Sequence, residues 1–187
     1  ALCLPDGVVL MRTGAPTRLG EVAQIEPVLQ DLFDKVARID GPGTIEAGDI
    51  LTTSREVLVG QSLRTNSEGI AELASILSNW GHVLREVSVP EGVLHFKTDC
   101  SLLDTTTILS TERLAKSGIF SDYNVIFTAD EEEEAANAIR YNDFVLMSAG
   151  FPKTAQRLTE AGYHIKQLRN SECAKLDGGM SCLSLRF

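Results

Sequence analysis

The sequence predicts an α/β fold in which ββαβ units repeat around a common centre. Short runs rich in β-branched residues alternate along the chain with amphipathic helices. Glycines close predicted helices at Gly81, Gly118 and Gly162, and a strand-like run follows each of them. The spacing of these glycines and strands indicates a unit that repeats about every forty residues. Because such units cannot each bury a face alone, we expect them to stack and to direct the ends of their first strands into one shared opening.

Apolar runs bounded by turn residues predict the strands. They cover residues 8–12, 36–39, 50–53, 57–60, 83–89, 101–103, 106–109, 125–128, 144–148 and 164–168. His95 is expected within a further strand, and Cys182 at the start of a terminal one. The turn at Asp104 and Thr105 predicts that the runs on either side of it pair with each other.

Amphipathic periodicity predicts helices at residues 21–33, 67–80, 111–117, 130–139 and 153–161. The first has an apolar face formed by Val22, Ile25, Val28, Leu29 and Leu32. Ser110 is the expected cap of the third helix. A run of four glutamates opens the fourth, where negative side chains suit the positive end of the helix dipole. We therefore interpret that acidic run as structural.

Composition limits the classes of function. A chain of 187 residues can build one sizeable core, so we predict a single domain over residues 1–187. The formal net charge of -9 argues against a nucleic-acid partner, which would need a basic face. No apolar run is long enough to span a membrane. Cys3, Cys100, Cys173 and Cys182 form no paired motif, which favours reduced thiols, a cytoplasmic location and no cysteine-bound zinc.

One cysteine stands in a setting typical of a nucleophile. Cys182 follows a flexible Asp-Gly-Gly turn that leaves the backbone beside it unobstructed. A reactive thiol needs an acid or base partner, for which His95 is the candidate, and Glu46 could orient that histidine. From the residues alone, Cys182 could instead be a small packed side chain and His95 a core histidine.

Five segments together resemble the dimethylarginine dimethylaminohydrolase family of the guanidino-group modifying superfamily. They are Gly14-Ala15-Pro16-Thr17-Arg18, Glu46-Ala47-Gly48-Asp49, Val59-Gly60-Gln61-Ser62-Leu63-Arg64-Thr65-Asn66, Leu94-His95-Phe96-Lys97 and Leu176-Asp177-Gly178-Gly179-Met180-Ser181-Cys182. Their order and spacing match along the whole chain. The resemblance implies a five-bladed α/β propeller of ββαβ modules.

The resemblance also implies a reaction. Cys182 would attack the guanidinium carbon of an Nω-methylated arginine, and His95 would protonate the departing methylamine or dimethylamine. Water would then release citrulline from a cysteine-bound thiouronium. Glu46 matches the carboxylate that holds the histidine. No metal and no other cofactor is required.

Four more residues match substrate-binding positions of the family. Arg18 and Arg64 match the pair that grips the substrate carboxylate, a task suited to guanidinium groups. Asp177 matches the acid near the substrate α-amino group, and Leu176 beside it is assigned to the same pocket. Asp49 is expected to be a structural acid. The resemblance also allows a homodimer.

The chain departs from the family pattern at its beginning. The acidic strand that clasps the substrate guanidinium is absent, and Ala1 stands about where that motif would end. We therefore expect the sequence to be the C-terminal major part of a propeller, without its first blade.

Two other functions stay open at this point. An arginine deiminase or an amidinotransferase of the same superfamily would use the same cysteine and histidine on another guanidino compound. A non-catalytic propeller that serves as a binding module belongs to a different class. The joint presence of Cys182, His95 and Glu46 favours an enzyme over a binding module.

Overall fold

Four three-stranded sheets form the framework of the computed structural model, which describes residues 1–186 apart from the side chain of Leu183. Each sheet takes three consecutive strands in their sequence order. The chain divides into two compact units. One is Ala1–Val87 together with Leu185 and Arg186, and the other is Ser88–Ser184. That residues 1–187 form a single domain stays a prediction.

The first unit contains two modules. The elements of the first are β1 (Leu2–Leu4), β2 (Gly7–Leu10), α1 (Glu21–Leu32) and β3 (Val36–Arg38). The elements of the second are β4 (Ile50–Thr52), β5 (Val57–Gln61), α2 (Ser67–Asn79) and β6 (Leu84–Ser88). In both, the first two strands are antiparallel. In the first module, β2 and β3 are parallel, a pairing that requires a crossover such as α1.

The second unit repeats this plan. The elements of its first module are β7 (Cys100–Leu102), β8 (Thr107–Ser110), α3 (Glu112–Ala115) and β9 (Asn124–Phe127). The elements of the next are β10 (Ile139–Tyr141), β11 (Phe144–Ser148), α4 (Pro152–Glu160) and β12 (His164–Leu168). Each sheet has an antiparallel pair followed by a parallel pair. A short helix, α5, follows at Ser171–Ala174.

Helix faces cover the sheets within each unit. In the first, α2 buries Ile70, Leu73 and Leu77 against residues of both sheets. In the second, Leu158 of α4 packs with Val145 and other buried residues. Burial of one such side chain contributes about 1.5–3 kcal/mol. The predicted face of α1 is only partly correct, because Leu29 is buried whereas Val28 and Leu32 are exposed.

The repeat and its glycine stops are confirmed as local structure. Gly81, Gly118 and Gly162 have φ values of 82°, 77° and 92°, in the left-handed region that side chains rarely adopt. Each glycine lies between a helix and the last strand of its module. None of the helices within residues 1–186 is long and apolar enough to cross a bilayer.

Four local predictions are wrong. Residues 130–139 form no α-helix but a 3₁₀ turn at Glu133–Ala136 followed by β10. Cys182 opens no strand, because Ser181–Leu183 is a 3₁₀ turn. His95 lies in no strand either but precedes the 3₁₀ turn Phe96–Thr98. The cap of α3 is Thr111 rather than Ser110, since the Leu114 N–H donates to the Thr111 hydroxyl.

The acidic run at residues 131–134 does not begin an α-helix of its own, because Glu132 caps the helix α4 instead. Glu132 is buried, and its two carboxylate oxygens accept the backbone N–H groups of Lys153 (3.1 Å) and Thr154 (2.6 Å) in the first turn of α4. Burial raises the pKa of Glu132, but the hydrogen bonds from Thr154 and Lys153 outweigh burial and leave the pKa below its ordinary value. The carboxylate thus caps a helix distant in sequence.

We expect Glu132→Gln to lower the free energy of unfolding by about 1–2 kcal/mol at neutral pH. The pKa of Glu132 is lower in the folded than in the unfolded protein. The variant therefore loses the full stabilisation at pH values above the pKa of the unfolded carboxyl, and this loss disappears as the pH falls through the pKa of the folded protein. Urea unfolding at several pH values measures the difference in the free energy of unfolding between the variant and the wild type. Glu134→Gln is the matched control, since Glu134 belongs to the same run but is exposed, and an equal loss there would contradict the capping role.

Candidate active site

Glu46 and His95 occupy the same place in successive modules. Glu46 precedes the 3₁₀ turn Ala47–Asp49 that leads into β4. His95 precedes the turn at Phe96–Thr98, after which Asp99 leads into β7. Both have extended backbone, with φ of -112° and -138°. The repeat therefore provides a recurring position for a functional side chain just before the first strand of a module.

A buried aspartate fixes the first of these positions. Asp49 has no exposed surface, and one of its oxygens accepts hydrogen bonds from the hydroxyls of Ser62 (2.7 Å) and Thr65 (2.6 Å). The Thr65 hydroxyl in turn accepts the backbone N–H of Glu46 at 3.0 Å. The Ser62 hydroxyl accepts the N–H of Arg64 at 3.1 Å. Asp49 thus holds the backbone of both Glu46 and Arg64 in place, which agrees with a structural role.

Asp99 occupies the equivalent position in the next module. It is buried and accepts a hydrogen bond from the hydroxyl of Thr111 at 2.7 Å. The Arg113 guanidinium donates two more, of which the bond from Nη2 measures 2.7 Å. Sequence reasoning missed this network. The signal that these two modules share is an aspartate directly before the first strand and a hydroxyl residue after the second.

Two arginines converge on Glu46 in the first unit. The Glu46 side chain is buried, and its Oε2 lies 3.3 Å from Nη1 of Arg18 and 3.6 Å from Nη1 of Arg64. Two positive groups thus lie around one buried carboxylate. The predicted substrate-carboxylate pair, Arg18 and Arg64, is therefore brought together within this unit, although the pair surrounds Glu46.

Arg18 has a second acidic partner that sequence reasoning missed. Nε and Nη2 of Arg18 donate to the two oxygens of Glu21, each at 2.9 Å. This is the paired geometry in which guanidinium groups bind carboxylates. The hydrogen bond from Arg18 lowers the pKa of Glu21, so the carboxylate is ionised at neutral pH. The spacing of three residues was the only signal in the sequence.

Cys182 lies in the second unit, at the end of the predicted glycine-rich turn. Asp177 has a φ of 57°, and the N–H of Gly178 donates to the carbonyl of Cys173 at 2.9 Å. The N–H of Cys182 donates to the carbonyl of Gly179 at 3.2 Å. Cys182 itself is exposed. The turn therefore presents a thiol that a small molecule can reach.

Asn137 holds this turn from the preceding module. Its Oδ1 accepts the Ser181 N–H at 2.9 Å, and its Nδ2 lies 3.7 Å from Sγ of Cys182. A Cβ added at Gly179 would lie 2.3 Å from Nδ2 of Asn137. The absence of a side chain at Gly179 thus allows the close approach of the amide. No pattern in the sequence pointed to Asn137, because it precedes β10 without any motif.

The remaining predicted residues of the second unit are placed as follows. Leu176 and Asp177 are exposed on the segment that leads to Cys182. His95 is half-buried, between an exposed Leu94 and a buried Phe96. Their roles toward a substrate stay predictions.

The thiols of Cys100 and Cys3 are more buried than that of Cys182. Burial raises the pKa of the Cys100 thiol far above its ordinary value, and burial also raises the pKa of Cys3. A thiol with a raised pKa stays protonated at neutral pH and is a poor nucleophile. Both therefore fit the predicted packing role.

A cavity of about 240 Å³ lies in the first unit. It is lined by Met11, Arg12, Thr13, Leu19, Val22, Arg38, Ile39 and Asp40. None of the predicted site residues is in this lining. Within residues 1–186, no cluster of three histidine, cysteine or acidic side chains is placed to hold a metal ion.

Comparison with known proteins defines the class. The family model described as arginine deiminase matches residues 2–147. An N(G),N(G)-dimethylarginine dimethylaminohydrolase of Pseudomonas aeruginosa is 39% identical over 187 residues, which cover 100% of this chain and 73% of that protein. One from Streptomyces coelicolor is 30% identical over 180 residues, which cover 96% of this chain and 68% of that protein.

The structural comparison agrees. A solved structure of the Pseudomonas aeruginosa protein, a cysteine-to-serine variant complexed with citrulline, matches with a TM-score of 0.95 and 38% identity, covering 100% of this chain and 73% of that chain. The chain therefore belongs to the dimethylarginine dimethylaminohydrolases of the arginine deiminase family. The predicted α/β propeller class is confirmed, and the described residues contribute four modules. That a further blade precedes Ala1 stays a prediction.

We expect Gly179→Ala to destabilise the turn by about 1–3 kcal/mol, because the new Cβ would collide with the Asn137 amide. Thermal unfolding and the alkylation rate of Cys182 measure the effect. Gly20→Ala is the control, since Gly20 has helical backbone with φ of -78° and open space around its Cα. Equal unfolding temperatures and equal alkylation rates in the two variants would contradict the close packing of Asn137 on Gly179.

Proposed function

We propose that this protein hydrolyses Nω,Nω-dimethyl-L-arginine and Nω-methyl-L-arginine to citrulline and dimethylamine or methylamine. The observation that carries the proposal is the 39% identity along the whole chain to a named dimethylarginine dimethylaminohydrolase. The exposed Cys182 on its glycine-rich turn and the arginine pair in the first unit are consistent with it.

In the proposed reaction, the thiolate of Cys182 forms a bond to the guanidinium carbon. The bond from that carbon to the methylated nitrogen then breaks, and His95 gives a proton to the departing amine. This leaves a thiouronium on sulfur. The imidazole next removes a proton from water, which attacks the same carbon. The carbon–sulfur bond breaks, and citrulline and the free thiol are formed.

The other residues are proposed to bind or orient. Glu46 would hold the His95 imidazole in its orientation. Arg18 and Arg64 would hold the substrate carboxylate, while Leu176 and Asp177 would contact the α-amino end. Among these, the approach of Arg18 and Arg64 to a common carboxylate supports their role, since two guanidinium groups at one point form an anion site.

Arginine deiminase activity is the second candidate. The matching family model bears that description, and the same cysteine and histidine chemistry would act on unmethylated arginine. The identity to relatives named for dimethylarginine favours the methylated substrate. Comparable turnover of arginine and dimethylarginine by the full-length protein would reverse this preference.

The location and assembly are further parts of the proposal. Cys3, Cys100, Cys173 and Cys182 are all free thiols, which supports a reducing, cytoplasmic location. The family resemblance supports a homodimer. The net charge of -9 supports a small-molecule rather than a nucleic-acid partner.

We expect Cys182→Ser to abolish citrulline release from dimethylarginine in the full-length protein, because a hydroxyl is a far weaker nucleophile at neutral pH. The same variant should no longer be labelled covalently by 2-chloroacetamidine, as mass spectrometry of the intact protein would show.

Cys173→Ser is the matched control, since Cys173 is a half-buried thiol nine residues before Cys182. Cys100→Ser is a second control with a buried thiol. Both should retain labelling. Labelling that persists in Cys182→Ser and is lost in Cys173→Ser would assign the nucleophile elsewhere.

We expect Glu21→Gln to lower KM for dimethylarginine, because Arg18 would no longer share its Nε and Nη2 with a competing carboxylate. The effect should be about two- to fivefold, as an exposed ion pair is worth under about 1 kcal/mol. Steady-state kinetics should show an unchanged kcat.

Glu26→Gln is the control for this test. Glu26 also lies on α1 and forms an ion pair with Arg38, which is not assigned to the substrate. Its KM should equal that of the wild type. A higher KM in Glu21→Gln would show that Glu21 positions Arg18 for the substrate rather than competing with it.

A further inference from the structure

Asn137 touches the proposed nucleophile without being part of any motif. It directly follows the 3₁₀ turn Glu133–Ala136 and is 6% exposed. Its amide reaches across 45 residues of sequence to Sγ of Cys182 at 3.7 Å. A buried polar side chain aimed at an exposed thiol requires an explanation, because an amide side chain in such a place must satisfy its hydrogen bonds.

The orientation of this amide follows from its other contact. The Ser181 N–H can only donate, so the atom of Asn137 that faces it must be the carbonyl oxygen, Oδ1, at 2.9 Å. The NH₂ group then faces Sγ of Cys182. The side chain therefore presents an N–H donor to the sulfur, and this assignment depends on the backbone rather than on a choice of rotamer.

Two asparagines anchor the two ends of the segment. Nδ2 of Asn170 donates to the carbonyl of Gly178 at 2.9 Å, within the Asp-Gly-Gly turn, whereas Asn137 contacts Ser181 and Cys182 after it. Between them, Gly179 leaves room for the Asn137 amide. Asn170 therefore contributes only backbone anchoring, while Asn137 contributes both an anchor and a contact with sulfur.

We infer that Asn137 is a positioning residue for catalysis, which orients Sγ of Cys182 and stabilises its thiolate through the amide N–H. The inference rests on the proposed role of Cys182 as nucleophile. A donor to the charged form of a group favours that form. An exposed cysteine without such a contact would be free to rotate about its χ1 angle, and misalignment of a nucleophile lowers the rate rather than the affinity.

The test compares Asn137→Asp with Asn170→Asp in the full-length protein. An aspartate at position 137 can still accept the Ser181 N–H, but it replaces the donor to sulfur by a negative charge. An aspartate at position 170 puts the same charge on the same segment and loosens its anchor to Gly178. The readout is the rate of alkylation by 2-chloroacetamidine as a function of pH, together with kcat, KM and the thermal unfolding midpoint.

We expect the pH of half-maximal alkylation to rise by about one unit in Asn137→Asp, because a like charge beside the sulfur opposes thiolate formation. At neutral pH, kcat should fall roughly tenfold with KM little changed. Asn170→Asp should keep the pH midpoint of the wild type. Asn137→Ala, which adds no charge, should also raise the midpoint and lower kcat, and it serves if the aspartate variant does not fold.

An unchanged pH midpoint in Asn137→Asp and Asn137→Ala would overturn the inference, as would an equal shift in Asn170→Asp. The proposed function fails separately. If Cys182→Ser is still labelled, Cys182 is not the nucleophile, and the role of Asn137 falls with it. If Cys182→Ser is unlabelled while both Asn137 variants keep the wild-type profile, only the inference is wrong.

Discussion

Two aspartates lie buried just before the first strand of a module, and one of them, Asp49, fixes the backbone from which Glu46 and Arg64 extend. Removing a carboxylate from water is costly unless hydrogen bonds replace the lost solvation. Asp49 obtains them from two hydroxyls, and Asp99 from a hydroxyl and the guanidinium of Arg113. Few backbone conformations bring these donors together, so the requirement selects one conformation. The positions of Glu46 and Arg64 follow from it in the first unit.

The two glutamates that contact Arg18 in the first unit differ in burial. Glu46 is buried and lies between Arg18 and Arg64, whereas Glu21 is exposed and pairs with Arg18. A buried ion pair resists exchange, while an exposed pair is weak and screened by salt. Under the proposed function, an incoming substrate carboxylate would therefore take the place of Glu21 and leave Glu46 in position.

Most helices and strands could be predicted because apolar periodicity and glycine stops act locally. The wrong predictions occur where a contact between residues distant in sequence determines the local structure. The helix expected at residues 130–139 is absent because Glu132 caps α4, a contact across twenty-one residues that no window of sequence reveals. The family motifs indicated Arg18, Glu46 and Arg64, and the structure places these three together. Asn137 could not be predicted, since its partners at Ser181 and Cys182 are distant in sequence.

The packing of Asn137 against Gly179 has an evolutionary consequence. A Cβ at Gly179 and an amide at Asn137 cannot occupy the same space. Natural variation at either position is then coupled, so that a homologue with a side chain in place of Gly179 should carry a shorter residue in place of Asn137. Diversification of the segment that carries the thiol thus requires paired substitutions, which arise more slowly than single ones.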